Sequence, residues 1–263
     1  MLLTIDVGNT NMVFSVFDGE TLKGSFRLTT VTGRTSDELG MDIWNQLSRL
    51  GVKPEDLADV IVSSVVPPVM AALGDAISRY LGKVPIVVDA DVYPELPYGV
   101  ETNERLGADR SVACVAAIYK YGAPLILADM GTATTVDAIS REGVYMGGCI
   151  TAGARISIEA LFQKTALLPQ VDLALPERVL SGTSVGQIQA GAVLGYIGAM
   201  ERLITQAREE IGEPEAMVVA TGGLAPIIAA GTDIIDVVDG QLIPDGLRLL
   251  YENYLRERGV ERP

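Results

Sequence analysis

The chain has 263 residues, 48% of them hydrophobic, and a formal net charge of −14. That length can bury a substantial core in one large domain or, as we expect here, two of ordinary size, while the acidic balance and the lack of any basic block argue against nucleic acid or an anionic membrane as a partner. Only Cys114 and Cys149 are present and histidine is absent, which removes a structural zinc site, a disulfide framework and any histidine base by inventory.

No basic segment leads into an apolar run at the start of the chain, and no apolar stretch approaches the roughly 20 residues a membrane-spanning helix needs. A soluble, unprocessed, cytoplasmic protein is expected. Residues 1–28, MLLTIDVGNTNMVFSVFDGETLKGSFRL, read as two apolar runs hinged at Gly8, an Asp18-Gly19 turn and a third strand. TSDELGMDIWNQLSRLG then reads as a helix, with Thr35 and Glu38 spaced as a capping box, Leu39, Ile43 and Leu47 on one face, and Gly51 as the stop. ADVIVSSVVP is a strand, PVMAALGDAISRYLG a helix and VPIVVDA a strand, the alternation of a mostly parallel α/β sheet.

DVYPELPYGVETNERLG is irregular, and ADRSVACVAAIYKYG is helical with Asp109 and Arg110 in its first turn. The pattern then restarts. APLILADMGTATTVDAISREGVYMGG repeats strand, glycine turn, strand, tight turn, strand. Helix RISIEALFQKT, a long helix from about 184 to 211, strand AMVVATGG, helix LAPIIAAG, strand IIDVV and helix PDGLRLLYENYLRE follow. Two β-β-β-α halves imply a duplicated domain with a cleft between the copies, divided at residues 1–117 and 118–263.

The restart also repeats a motif. IDVGNTN at 5–11 and ADMGTATT at 128–135 each place a glycine two residues after an aspartate at a strand end. Either turn alone would pass as hairpin punctuation. Together they suggest backbone that approaches a polyphosphate closely, with threonine and asparagine as donors. Asp6, ending a buried strand, would need pairing or a cation, and Mg²⁺ shared with phosphate oxygens fits. A third glycine pair, Gly222-Gly223 in ATGGLAP, lies between a strand and a helix, where backbone can pack against a nucleotide's base or ribose.

DVGNTN, GADR at 107–110, DMGTATTVD at 129–137, GG followed by EALF within 147–162, and ATGGLAP together resemble type III pantothenate kinase. The likeness spans nearly the whole chain. It implies an α/β fold of duplicated ribonuclease H-like, actin-like ATPase domains with an interdomain cleft, and transfer of the ATP γ-phosphate to the 4′-hydroxyl of pantothenate, the first step towards coenzyme A. It places ATP against Asp6, Val7, Gly8, Asn9, Thr10, Asn11, Met12 and Val13, mostly through backbone groups, and against Thr132. It sets the general base on Asp109 and a monovalent cation, K⁺ or NH₄⁺, on Asp129. Pantothenate falls against Tyr98, Gly107, Ala108, Asp109, Arg110 and Ser184, in a homodimer whose second subunit completes the pocket.

The residues are compatible with those roles. Phosphoryl transfer needs positioning, charge neutralisation and a carboxylate where the hydroxyl proton departs, and Asp109 opens a helix, which holds its charge but weakens it as a base. Arg110 offers an anionic acceptor a paired hydrogen bond in an otherwise acidic protein. Where some relatives carry a lysine in the first turn, this chain has Met12 and Val13, so ATP binding without Mg²⁺ is expected to be weak. Ser184 stands where threonine is usual, Ala152-Gly153 where proline-glycine is usual, and ETNERL lacks the expected Asn-Pro.

GTSVG at 182–186 matches the nucleophile elbow of hydrolases, but a chain without histidine cannot complete that triad. No Walker A sequence exists either, because Gly82-Lys83 has no glycine five residues earlier and no serine or threonine after it. Two other readings stay open on sequence: another small-molecule kinase or phosphatase of the superfamily, and a non-catalytic regulator. For association, the stripe Val193, Ile197, Met200, Ile204, Ala207 and Ile211, with Gly191, Gly195 and Gly198 nearby, is long enough for a partner helix, although core packing would use most of it.

Overall fold

The computed structural model describes residues 1–100 and 106–259; the ETNER part of the segment expected to wall the acceptor pocket lies outside them. The opening meander forms as β1 (Leu2–Val7), β2 (Asn11–Asp18) and β3 (Thr21–Thr29). Helix α1 (Ser36–Arg49) starts at a complete capping box: Thr35 Oγ1 accepts from Glu38 N at 3.2 Å, and Glu38 accepts from Thr35 N at 2.8 Å. Strand β4 (Asp59–Ser64), helix α2 (Pro67–Ala76) and strand β5 (Ile86–Val87) complete the first sheet.

Its order is β3-β2-β1-β4-β5, antiparallel on the β2 side of β1 and parallel on the β4 side. Side chains alternate across β1. Leu3, Ile5 and Val7 pack with Leu39, Ile43, Leu47, Val69 and Leu73 of α1 and α2. On the other face, Leu2 and Ile61 join Ala108 and Val112 of α3 (Ala108–Tyr121) and Leu247, Leu250 and Tyr251 of α8 (Leu242–Glu257). Burial on both faces explains why β1 and β4 read as almost continuous apolar runs. A polar residue at a β1 strand end, Asp6, is therefore conspicuous.

The second half repeats the plan. Strands β6 (Leu125–Met130), β7 (Ala133–Ile139), β8 (Tyr145–Ala152), β9 (Met217–Thr221) and β10 (Val237–Val238) assemble in the order β10-β9-β6-β7-β8, the same arrangement listed from its other edge. Helices α4 (Ala154–Lys164), α5 (Ser184–Gln189), α6 (Gly195–Glu210) and α7 (Ala225–Ala229) belong to it. Ile126, Ala128 and Met130 pack against Val193, Ile197, Met200 and Ile204.

Several expectations are revised in detail. The long helix from 184 to 211 is α5 and α6 joined through a π turn at Ala190–Leu194, and a second π turn at Ile77–Leu81 follows α2. The stripe from Val193 to Ile211 goes into the core, as expected for most of it: Val193, Met200 and Ile204 are wholly buried, and Ala207 and Ile211 pack against the same cluster. Strands β5 and β10 are two residues each, shorter than VPIVVDA and IIDVV suggested; both are edge strands, where the second ladder partner that would extend them is missing.

Compact packing divides the chain into two units, one drawn from Met1–Glu95, Glu104–Ala116 and Leu242–Pro263, the other from Leu96–Asn103 and Ala117–Gln241. The closing helix α8 packs in the first unit. Gly246 lets it do so: a Cβ there would lie 2.6 Å from Val112 O and 3.1 Å from Ala116 Cβ on α3. Among the described residues no helix is long and apolar enough to cross a membrane.

Candidate active site

In the first unit, β1 ends at Val7 and the chain turns through Gly8, Asn9 and Thr10 before β2. Gly8 N donates to Asn11 O at 3.0 Å, and Asn9, Thr10 and Asn11 are exposed. The turn is braced from outside by Thr30, whose Oγ1 donates to Gly8 O at 2.7 Å and whose N–H donates to Thr10 O at 2.9 Å. Asp6 lies just before it, half-buried, with Val13 of β2 and Ser63 of β4 as its register partners. Val7 and Met12 are wholly buried in the core, so any ligand contact they make is through backbone.

The second unit holds the matching turn, one residue shorter. Gly131 N donates to Ala133 O at 3.1 Å, leaving Thr132 exposed at the apex. Gly153 braces it, with its N–H donating to Thr132 O at 3.1 Å. No other residue fits there: a Cβ on Gly153 would lie 2.4 Å from Gly131 O and 2.6 Å from Thr132 O. Asp129 is flanked in register by Thr135 of β7 and Thr221 of β9.

Gly222 closes over Asp129. Its φ of 89° is one that side-chain-bearing residues avoid, and a Cβ would lie 2.5 Å from Asp129 Oδ1 and 2.6 Å from Met130 C. Leu224 N donates to Met130 O at 3.1 Å and holds this loop on the turn. Gly223 is different, because a Cβ there would meet only open space. Behind the turn, Thr134 and Tyr196 share a buried hydroxyl contact of 2.5 Å. Burial raises the Tyr196 phenol above its ordinary range, the Thr134 hydrogen bond opposes this, and the negative charge of Asp129 adds to the rise.

The remaining expected residues fall in both units. Gly107 leads into α3, its carbonyl accepting from Ser111 N at 2.9 Å, and Asp109 in the first turn accepts from Arg110 N at 2.8 Å through Oδ1. Ala108 is buried, while Asp109 and Arg110 are half-buried. All four belong to the first unit. Tyr98 belongs to the second, 40% exposed, with its ring edge-on to Tyr145 at 5.6 Å. That ring is held by backbone bonds from Gly99 N to Tyr145 O and from Tyr145 N to Pro97 O, both 2.8 Å.

Ser184 is exposed at the start of α5, where Thr183 caps the helix by accepting from Gly186 N at 3.2 Å. It lines a cavity of about 520 Å³ with Ser157, Leu161, Leu168, Gln187, Ile188, Gly191 and Ala192. No strand runs directly into it, since residues 165–183 contain none, so the nucleophile-elbow geometry is absent. Sequence reasoning had no reason to give Thr30, Gly153, Thr135 or Tyr196 a role in the site. The first two act on turns remote in sequence, and only alternation within TATT hints that Thr135 shares a face with Asp129.

Both turns offer oxygen donors only: carboxylate, hydroxyl and carbonyl. That suits hard cations such as Mg²⁺ and K⁺. Among the described residues no group of three or more Asp, Glu, Cys or His side chains could hold a metal. The Oγ1 of Thr135 is buried without a hydrogen-bond partner, as is the Oγ of Ser63.

Two copies of one five-stranded α/β plan, each ending its central strand in an Asp-x-Gly turn, define a duplicated ribonuclease H-like fold of the actin-like ATPase class. The inorganic polyphosphate/ATP-glucomannokinase of Arthrobacter sp. strain KM shares that fold, with a TM-score of 0.53 at 13% identity over 97% of this chain and 98% of its own. A family model described as type III pantothenate kinase matches residues 2–206. The type III pantothenate kinase of Geobacillus kaustophilus is 42% identical over 98% of this chain and 100% of its own length, and that of Agathobacter rectalis 41% identical over 99% and 100%. The chain belongs to the type III pantothenate kinase family.

Proposed function

We propose that this protein transfers the γ-phosphoryl group of ATP to the 4′-hydroxyl of pantothenate, giving 4′-phosphopantothenate and ADP at the first step of coenzyme A synthesis. The observation that carries this reading is the near full-length match to curated pantothenate kinases, in a chain that keeps Asp6, Asp109 and Asp129 at two strand ends and a helix start. The two ATPase halves are residues 1–117 and 118–263 in chain order, with the closing helix returning to the first.

In this reading, Asp109 accepts the proton of the acceptor hydroxyl as its oxygen bonds to the γ-phosphorus and the bond to the β,γ-bridging oxygen breaks. The bond from Arg110 N to Asp109 Oδ1 fixes the carboxylate's direction. Arg110 pairs with the pantothenate carboxylate, and Tyr98, Gly107, Ala108 and Ser184 shape its site. The backbone from Asp6 to Val13 and the Thr132 hydroxyl hold ATP phosphates, and Gly222 and Gly223 bring backbone to the nucleotide. Asp6 would hold Mg²⁺ and Asp129 a monovalent cation, K⁺ or NH₄⁺; when bound, these ions neutralise phosphate charge.

A homodimer completes the proposal. Several apolar side chains between residues 156 and 185 are exposed, Leu167 by 93% and Leu180 by 85%, with Phe162 and Val185, and a second copy would cover them. Light scattering should give a dimer, and a monomer at full activity contradicts it. The function itself is tested by mass detection of phosphopantothenate. Wild type should form it, and Asp109→Asn should lose about 10²–10⁴-fold in kcat with its thermal unfolding unchanged; an unaffected variant removes Asp109 as the base.

A further inference from the structure

Among the described residues, two buried hydroxyls have no hydrogen-bond partner, Ser63 Oγ and Thr135 Oγ1, and each stands beside one of the turn carboxylates. Ser63 is the register partner of Asp6 across the parallel β1–β4 pair, and Thr135 that of Asp129 across the antiparallel β6–β7 pair. Register partners project from the same face of a sheet, with Cβ atoms roughly 4.5–5.5 Å apart in an antiparallel pair. A threonine in a strand ordinarily satisfies its hydroxyl, because a buried one left bare is costly. Thr134, next along β7, does so on Tyr196.

The two carboxylates differ on the antiparallel flank, where Asp6 has apolar Val13 and Asp129 has Thr135. On the parallel flank both have a hydroxyl residue, Ser63 and the buried Thr221. Asp129 thus has a hydroxyl-bearing residue on each side, and the Gly222 backbone lies against its Oδ1. Mg²⁺ gives up its water reluctantly and is held through few protein ligands. K⁺ is coordinated by neutral oxygens that replace its hydration shell. The Asp129 side is built for the second kind of ion.

Resting on the reading of Asp129 as a monovalent-cation site, we infer that Thr135 Oγ1 is a direct ligand of that cation and makes the site accept K⁺. The hydroxyl left unpaired by the protein is paired by the ion. Thr135→Val keeps the side chain's shape and removes only the oxygen; Thr135→Ser keeps the oxygen.

The test is thermal unfolding against K⁺ concentration, at ionic strength held constant with choline chloride, beside phosphopantothenate formation in the same buffers. Wild type and Thr135→Ser should be stabilised by K⁺ with the same half-effect concentration, and Thr135→Val should need at least tenfold more. A Thr135→Val curve that overlays wild type overturns the inference. So does a loss of stability equal with and without K⁺, which marks a purely structural hydroxyl. If wild type shows no K⁺ effect, the cation reading of Asp129 fails along with it. If K⁺ stabilises the protein through Thr135 but no phosphopantothenate forms, the inference stands and the functional reading fails. Wild-type crystals soaked in Tl⁺ give a check independent of any variant: the ion should touch both the Asp129 carboxylate and Thr135 Oγ1, and an ion on Asp129 away from Thr135 overturns the assignment.

Discussion

Asp6 and Asp129 end equivalent strands and precede equivalent glycines, yet their surroundings differ in three ways. The first turn is one residue longer, it is braced by the side chain of Thr30 where the second is braced by the lack of one at Gly153, and Asp6 faces a valine where Asp129 faces a threonine. Duplication supplies two similar turns, and on the reading proposed above their differences suit them to different ions. The first turn is longer and more exposed, while the shorter one is closed over by Gly222.

The comparison is broken most severely at the carboxylates themselves. Asp6→Asn should cost about 10²–10³-fold in kcat/KM for ATP by analogy with lost electrostatic stabilisation of a developing charge, with the response to K⁺ retained. Asp129→Asn should instead abolish the K⁺ response. If both variants lose the K⁺ response equally under steady-state assay, the two sites are not specialised as described.

Next in size is the contrast within one glycine pair. Gly222→Ala places a Cβ on a left-handed residue and against Asp129 and Met130 backbone, and should cost about 3 kcal/mol or more. Gly223→Ala enters open space and should lie within about 0.5 kcal/mol of wild type. Urea unfolding of the two variants decides it; similar losses would mean that the loop adapts and that Gly222 is not what shapes the Asp129 site.

The braces rank below that. Gly153→Ala forces the Gly131 and Thr132 carbonyls away and should cost about 1–3 kcal/mol, whereas Thr30→Val removes the bond to Gly8 O and should cost about 1 kcal/mol. A reversed order, measured by the same unfolding experiment, would show that the first turn depends on its brace more than the second.

These braces also show what a sequence can reveal. The capping box at Thr35 and Glu38, the apolar run of β1 and the repeat of Asp-x-Gly are local patterns, and each is found as read. The mirrored sheet order follows from them because two β-β-β-α repeats have one natural way to pair. The helix stripe from Val193 to Ile211 was equally legible as apolar, with core expected to take most of it, and core is where it lies. The bracing by Thr30 and Gly153 was illegible because their partners are twenty or more residues away. Thr135 was hidden in a run of threonines whose members face alternate sides, so that only the register against Asp129 separates the hydroxyl held by Tyr196 from the one beside the carboxylate.

The smallest effect concerns how each unit ties a helix to an aspartate. In the first unit Asp59 accepts from Tyr251 at 2.6 Å, and burial, followed by that hydrogen bond, pushes the phenol's pKa well up. In the second, Asp239 accepts from Lys120 Nζ at 2.5 Å, from Tyr121 at 2.8 Å and from Gln241 N at 2.9 Å. Burial acts to raise the Asp239 pKa, but these hydrogen bonds and the lysine charge outweigh it and hold the carboxyl below its ordinary 3.8. A depressed carboxyl stabilises the fold fully above its unfolded value and ceases to do so as pH falls through its folded value. Asp239→Asn keeps an acceptor oxygen and loses only the charge opposite a lysine that is partly exposed, so the cost at pH 7 should be about 0.5–1 kcal/mol. The gap between wild type and variant should persist down to about pH 4 and close below it. Mild acidification also relieves the self-repulsion of an acidic chain, but it does so in both proteins, so the difference isolates Asp239. Urea unfolding at steps from pH 7 to 3 measures that difference, and a gap that stays constant to pH 3 would remove Asp239 as a charged tie peculiar to the second unit.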